Sequence, residues 1–96
     1  MTGPPPAPYE IALAPPARRA ISAKLPRDVA AAAVEFVTVV LPASPRRVGK
    51  PLHAPLEGSW AARLMRDWRV LYEIDDDKRE VTVLDIRHRG NAYRLR

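Results

Sequence analysis

Arg87, His88 and Arg89 follow directly on the apolar run Val81 to Ile86, and Tyr93 and Arg94 stand just beyond them. No acidic residue occurs after Asp85, so guanidinium, imidazole and phenol groups gather there with no carboxylate among them. Such groups suit a phosphodiester: a guanidinium fork matches phosphate oxygens bidentately, and histidine titrates near neutrality. Three further arginines, Arg63, Arg66 and Arg69, lie in and between the two preceding apolar runs. Arg46, Arg47 and Lys50 fall in a proline-interrupted stretch with no acid before Glu57, which predicts an exposed basic loop.

Composition bounds what can hold these groups. The chain has 96 residues, 47% of them hydrophobic, which suits one compact domain with a modest core. Sixteen basic residues, 13 Arg and 3 Lys, against 11 acidic ones give a net charge of +5. That excess favours an anionic partner such as nucleic acid or an acidic protein. Cysteine is absent, which excludes disulfides, thiol catalysis and thiolate zinc sites and fits a reducing cytosol. The two histidines, His53 and His88, are far apart and form no metal-binding spacing, so neither a metal nor another cofactor is expected. Residues 1–8 form a proline-rich leader without the basic and apolar regions of a signal peptide. The apolar stretch Val29 to Leu41 is too short to span a bilayer and is interrupted by Glu35, so a soluble, cytoplasmic protein with no membrane role is expected.

The elements that must position the basic groups follow from periodicity. Tyr9, Ile11 and Leu13 alternate with Glu10, Ala12 and Ala14 and predict an opening strand, which Pro15 and Pro16 end. Those prolines can start a helix in which Ala17, Ala20, Ile21 and Leu25 share a face, and Pro26 can open a second with a stripe of Ala30, Ala33, Val34, Val37 and Leu41. The β-branched run Val37 to Val40 would also suit a strand. Pro42 to Pro55 reads as a loop. Three strands follow, Trp60 to Met65, Arg69 to Asp75 and Glu80 to Arg87, with an aspartate-rich turn between the last two. Alternation puts Ala61, Arg63, Arg69, Leu71 and Glu73 opposite the face of Ala62, Leu64, Val70 and Tyr72. In the last strand it gives Arg87 the parity of Val81 and Val83, and His88 that of Leu84 and Ile86. Because that strand is apolar on both sides, it should lie inside the sheet. The expected fold is a small α+β domain over residues 9–96: an N-terminal strand, an α-helical hairpin and a three-stranded antiparallel meander completing a twisted sheet.

The order of elements, the loop Pro45-Arg46-Arg47-Val48-Gly49-Lys50-Pro51-Leu52, the Leu56-Glu57-Gly58 turn, the segment Asp67-Trp68-Arg69-Val70-Leu71-Tyr72 and the ending His88-Arg89-Gly90-Asn91-Ala92-Tyr93 together resemble the RelE/ParE superfamily of type II toxin–antitoxin toxins, on the RelE side and toward its mycobacterial-type members. The resemblance runs from Tyr9 to Arg94. It implies a ribosome-dependent endoribonuclease that cuts mRNA without a metal, by attack of a 2′-hydroxyl on the neighbouring phosphate. Arg69 and Arg87 or Arg89 would then stabilise the developing phosphorane, Tyr93 would stack on a base or assist proton transfer, and His88 would be the acid or base. Arg46, Arg47, Lys50, Arg63 and Arg66 would contact RNA or ribosome. In one respect the sequence departs from the family. Lysines that the best-known members carry on the first meander strand are replaced here by Arg63 and Arg66, and an arginine does not readily surrender a proton.

The implied partners are a RelB-like antitoxin with an acidic tail, the ribosome with its mRNA, and operator DNA only through the antitoxin. Two other functions fit the same resemblance. A ParE-like inhibitor of DNA gyrase would need no proton-transfer groups at the strand end, and a catalytically degenerate homologue would only bind its antitoxin.

Overall fold

The computed structural model describes residues 7–91. The first strand, β1 (Glu10–Leu13), is halted where Pro15 and Pro16 occupy the first turn of α1 (Pro15–Arg19), a position where a missing N–H costs nothing. This helix widens into a π-type turn over Ala20–Lys24, closed by the Leu25 N–H on the Ala20 carbonyl at 2.9 Å, and Pro26 then ends it. The second helix, α2 (Arg27–Glu35), widens in the same way over Phe36–Val40 and finishes with a helical turn at Leu41–Ala43. The β-branched run Val37 to Val40 is therefore helical. Its buried stripe is Val29, Ala33, Val37 and Leu41, a strict spacing of four; Val34, expected inside, is 45% exposed. Residues three apart drift off a face that the wide turns keep aligned at every fourth position.

Beyond the helices, Pro42 to Pro55 is not all loop. Gly49–Pro51 forms a short edge strand, β2, antiparallel to β3 (Trp60–Leu64), and the meander continues with β4 (Trp68–Asp75) and β5 (Glu80–His88). The five strands lie in the order β1-β5-β4-β3-β2, with β1 parallel to β5 and every other pair antiparallel. As its two-sided apolar pattern predicts, β5 is interior.

Both helices pack on one face of the sheet, where Ala17, Ala20 and Ala33 allow close approach to Ala62, Val70, Tyr72, Val81 and Val83, all of them buried. The Tyr72 hydroxyl, fully enclosed, donates to the Pro45 carbonyl at 2.6 Å and fastens the proline-rich stretch to β4. Burial pushes this phenol up to about 12, which keeps it a donor. Gly49 is required by the same contact: a Cβ there would lie 2.1 Å from the Tyr72 hydroxyl oxygen. At that end of the sheet, Asp76 accepts from both Arg46 and Tyr9, at 2.6 Å each, joining the loop, β1 and the β4–β5 turn. Arg46 chiefly, and Tyr9 secondarily, hold the Asp76 carboxyl at about 2, below its usual range. The turn itself closes as expected, with the Lys78 N–H on the Asp75 carboxylate at 3.1 Å.

Candidate functional site

Strand register builds the site. Arg63 on β3 is paired directly with Arg69 on β4, and Arg69 is paired directly with Arg87 on β5. Paired residues project to the same side, so three guanidiniums stand in one row across three strands, on the face turned away from the helices. The expected alternation on β3 and β4 holds. On β5 it does not. Leu71 pairs with Asp85 but Tyr72 pairs with Val83, which leaves Leu84 as an extra residue in a bulge. The bulge reverses the alternation: Val81 and Val83 lie in the core, and so does Ile86, while Asp85 and Arg87 face outward. The parity that grouped Arg87 with Val81 and Val83 is thus corrected, and the bulge is what delivers Arg87 to the row. Re-aiming a side chain in this way is a recurrent use of bulges beside functional sites.

Like charges placed directly opposite one another on neighbouring strands are destabilising. The protein offsets this in part. Arg87 donates through Nε to Asp85 at 2.8 Å, and Arg69 donates through Nη1 to the carbonyls of Trp68 and Arg66 at 2.8 and 3.3 Å. Arg63 stands exposed, with no acid partner among the described residues. A second row lies alongside the first: Lys50 on β2 pairs with Ala61, Ala61 with Leu71, and Leu71 with Asp85. Ala61 and Leu71, each 7% exposed, are the buried middle of this row, which has the arginines alongside, Lys50 at one end and Asp85 at the other.

The remaining expected site residues divide between this face and its surroundings. His88 pairs with Trp68, both on the helix side, with the two rings edge to face at 5.4 Å. They border a cleft of about 750 Å³ walled by Lys24, Leu25 and Asn91. Because β1 ends at its pairing with Val83, the far half of β5 has a free edge, and the cleft continues round it to Asp85 and Arg87. Arg89 belongs to a short helical turn, Arg89–Asn91, and is held to the β3–β4 turn: its N–H donates to the Asp67 carbonyl at 2.7 Å, and its guanidinium lies 3.7 Å from the Asp67 carboxylate. Arg66 is exposed in that same turn, next to Met65, whose φ is 55°. Arg46 is committed to Asp76 and sits 6.0 Å from the Trp60 ring centroid, whereas Arg47 and Lys50 carry no such tie, Lys50 being exposed on β2. Tyr93 lies outside the described residues. Reading the chain as a sequence gave Lys50 to a loop and so missed its place on the arginine face; the available signal was Gly49, a residue without a Cβ beside a segment short enough to be an edge strand.

The architecture is thus a small α+β domain that stacks a helical hairpin on one face of a mixed sheet and lines the other with in-register cations. Comparison with known proteins gives this architecture a family. The model of the "ParE toxin of type II toxin-antitoxin system, parDE" family matches residues 12–93, and the chain belongs to this RelE/ParE family of type II toxins. It is 43% identical over 88 residues to a protein named Toxin RelE from Mycobacterium tuberculosis, covering 92% of this chain and 89% of that one. The crystal structure of the toxin–antitoxin complex RelBE2 from the same organism contains a chain that superposes with a TM-score of 0.78 at 43% identity, over 85% of this chain and 99% of that chain. The intact Escherichia coli RelBE toxin–antitoxin complex contains one with a TM-score of 0.63 at 19% identity, over 81% and 93% of the two chains, which shows the shared fold. Among the described residues no helix is long and apolar enough to cross a membrane.

Proposed function

We propose that this toxin is a ribosome-dependent endoribonuclease that cuts mRNA by transphosphorylation and is neutralised by a RelB-like antitoxin. The observation that carries the reading is the row Arg63–Arg69–Arg87. Three cations held in register at a cost in stability make sense where an anion of matching extent is to be bound, and a phosphate passing through a phosphorane gains further negative charge for them to stabilise. Arg69 and Arg87 contact the scissile phosphate, and Arg63 steadies a neighbouring one. Arg66 and Arg89 extend the basic rim toward the ribosome, and Arg47 adds charge from the loop. His88 and Trp68 present rings to the flanking cleft, where an unpaired base can stack.

Antitoxin binding is supported by the relatives' complexes and by apolar surface away from the arginine row. Val34, Val39 and Val40 are 45, 62 and 39% exposed, and a groove lined by Tyr9, Ile11, Val37, Val39 and Pro42 runs beside β1. An antitoxin tail folding on this surface would contribute an apolar face, with carboxylates toward the arginines.

The test is expression without the antitoxin. Translation should stop, with mRNA cut at sites protected by ribosomes and the chromosome intact; co-expression with the antitoxin should restore growth and give a complex that survives purification. DNA breaks with intact mRNA would replace this reading with gyrase inhibition.

A further inference from the structure

We propose that Asp85 is a positioning residue for the cleavage reaction: its carboxylate holds the Arg87 guanidinium in place to meet the scissile phosphate. The inference rests on the ribonuclease reading and adds to it the reason for an acid beside the cationic row. A carboxylate near a phosphate site repels the substrate, on the order of threefold in affinity for one unit charge several ångströms away in water. Its presence there is explained if it serves the cation next to it.

The geometry is that of a fixed clasp. Asp85 and Arg87 are two residues apart on β5, and the bulge at Leu84 turns both outward. Oδ1 of Asp85 accepts the Ile86 N–H and Oδ2 accepts Arg87 Nε, at 2.8 Å each, so both oxygens are engaged and the carboxylate cannot swing away without losing a bond. The Asp85 and Arg87 side chains are 22% and 32% exposed. The Arg89–Asp67 pair is more open, at 3.7 Å with side chains 59% and 46% exposed, so solvent and salt screen it more.

Arg87 needs such a hold. Arg69 stands directly opposite it on β4 and repels it. On the other side β1 ends at its pairing with Val83, so among the described residues no strand flanks Arg87 there, and the cleft lined by Lys24 and Asn91 opens beside it. Repulsion from Arg69 alone would drive a long side chain out over that edge; Asp85 draws it back along the strand. The contact is made at Nε, next to the stem, while the Nη1–Nη2 edge that matches two phosphate oxygens is at the far end of the guanidinium. A longer contact, from Nη1 to the Asn91 carbonyl at 3.5 Å, is exposed. Arg69, by contrast, is held by the carbonyls of Trp68 and Arg66.

The experiment is single-turnover cleavage of ribosome-bound mRNA over a range of toxin concentrations, which gives a maximal rate and a half-saturating concentration, for wild type, Asp85→Asn, Arg87→Met and the double variant. Asparagine keeps an acceptor for the Ile86 N–H and turns its amide NH₂ toward Nε, where donor meets donor. The Asp85→Asn protein should melt within about 8 °C of wild type. Its maximal rate should fall about 10-fold or more, since a misplacement of about 1 Å can cost 10²-fold. Its half-saturating concentration should hold or fall by about threefold, because a negative charge has left a phosphate-binding face. In the Arg87→Met background the same substitution should change the maximal rate by less than about twofold, because the group it positions is gone. A folded Asp85→Asn protein with the wild-type maximal rate would overturn the proposal, whether or not it bound more tightly. So would a rate loss that persisted in full without Arg87, which would give Asp85 a role of its own, and an Asp85→Asn protein unfolded at the assay temperature, which would make the pair a device of the fold. A wild-type protein that left ribosome-bound mRNA uncut would remove the ribonuclease reading itself, and the role of Asp85 with it.

Discussion

Replacing Arg69, the middle member of the row, with methionine separates a residue held for binding from one held for the fold. Methionine keeps an unbranched stem on the sheet face and removes the guanidinium. Two direct like-charge contacts disappear, with Arg63 and with Arg87, each worth about 0.2–1 kcal/mol of relief. Against this, the bond to the Trp68 carbonyl at 2.8 Å is lost. A hydrogen bond from a charged donor contributes about 1.5–3 kcal/mol. The 3.3 Å contact with the Arg66 carbonyl is exposed and adds little. The net cost to stability is therefore about 1 kcal/mol, which lowers Tm by about 4–8 °C in a domain of this size. The chemical step loses a preorganised donor to the phosphorane, for which a rate loss of about 10²–10³ is usual, equivalent to about 2.7–4 kcal/mol. Thermal denaturation and single-turnover cleavage of ribosome-bound mRNA, measured on one preparation, give both quantities. A folded Arg69→Met protein cutting at the wild-type rate would refute the site. A stability loss above about 3 kcal/mol would refute the claim that the row is held for binding against a local penalty.

Two further predictions concern the frame behind the site. The Asp76 carboxyl titrates at about 2 in the folded protein against an ordinary aspartate value of 3.8, so the clamp's contribution is complete above about pH 4 and is lost as pH falls toward 2. Asp76→Asn should therefore flatten the stability profile over that interval and leave the profile above about pH 5 parallel to wild type; identical acid limbs in urea titrations of the two proteins would contradict it. Tyr72→Phe should cost about 1–3 kcal/mol by orphaning the buried Pro45 carbonyl. Gly49→Ala should also destabilise, because its Cβ would meet the Tyr72 hydroxyl at 2.1 Å. In the double variant the two costs should add to less than their sum, since removing the hydroxyl removes the worst clash; strict additivity in chemical denaturation would show that the contact is not shared.

The face of each residue on β3 and β4 was legible in the sequence because Arg63, Arg69 and Glu73 fix the outward parity and no bulge interrupts the pairing of the two strands, and the order of elements was legible because prolines mark both helix starts. Arg87 was different. The run Val81-Thr82-Val83-Leu84-Asp85-Ile86 is apolar at both parities, so alternation could not reveal where the ladder slips by one residue, and only pairing with Leu71 and Tyr72 locates the bulge at Leu84. The helical stripe failed at Val34 for a related reason: its spacing assumed an ordinary α-helical turn throughout, while the C-terminal part of the helix is wound more widely.

Lys50 shows most clearly how position, rather than residue type, decides where a charge stands here. In a loop its ammonium would be one more mobile cation, with no fixed place relative to the arginine row. The segment Gly49-Lys50-Pro51 becomes a strand because each residue meets the demands of an edge: Gly49 lies against Tyr72, Lys50 turns its charge away from the core, and Pro51 occupies an edge strand, where a missing N–H is tolerated. A lysine on an edge strand is also a common guard against edge-to-edge aggregation. That role depends on charge alone and is satisfied equally by arginine. Its place on the arginine face depends instead on register: pairing with Ala61 sets Lys50 diagonal to Arg63 and so carries the cationic side of the sheet out onto its edge strand.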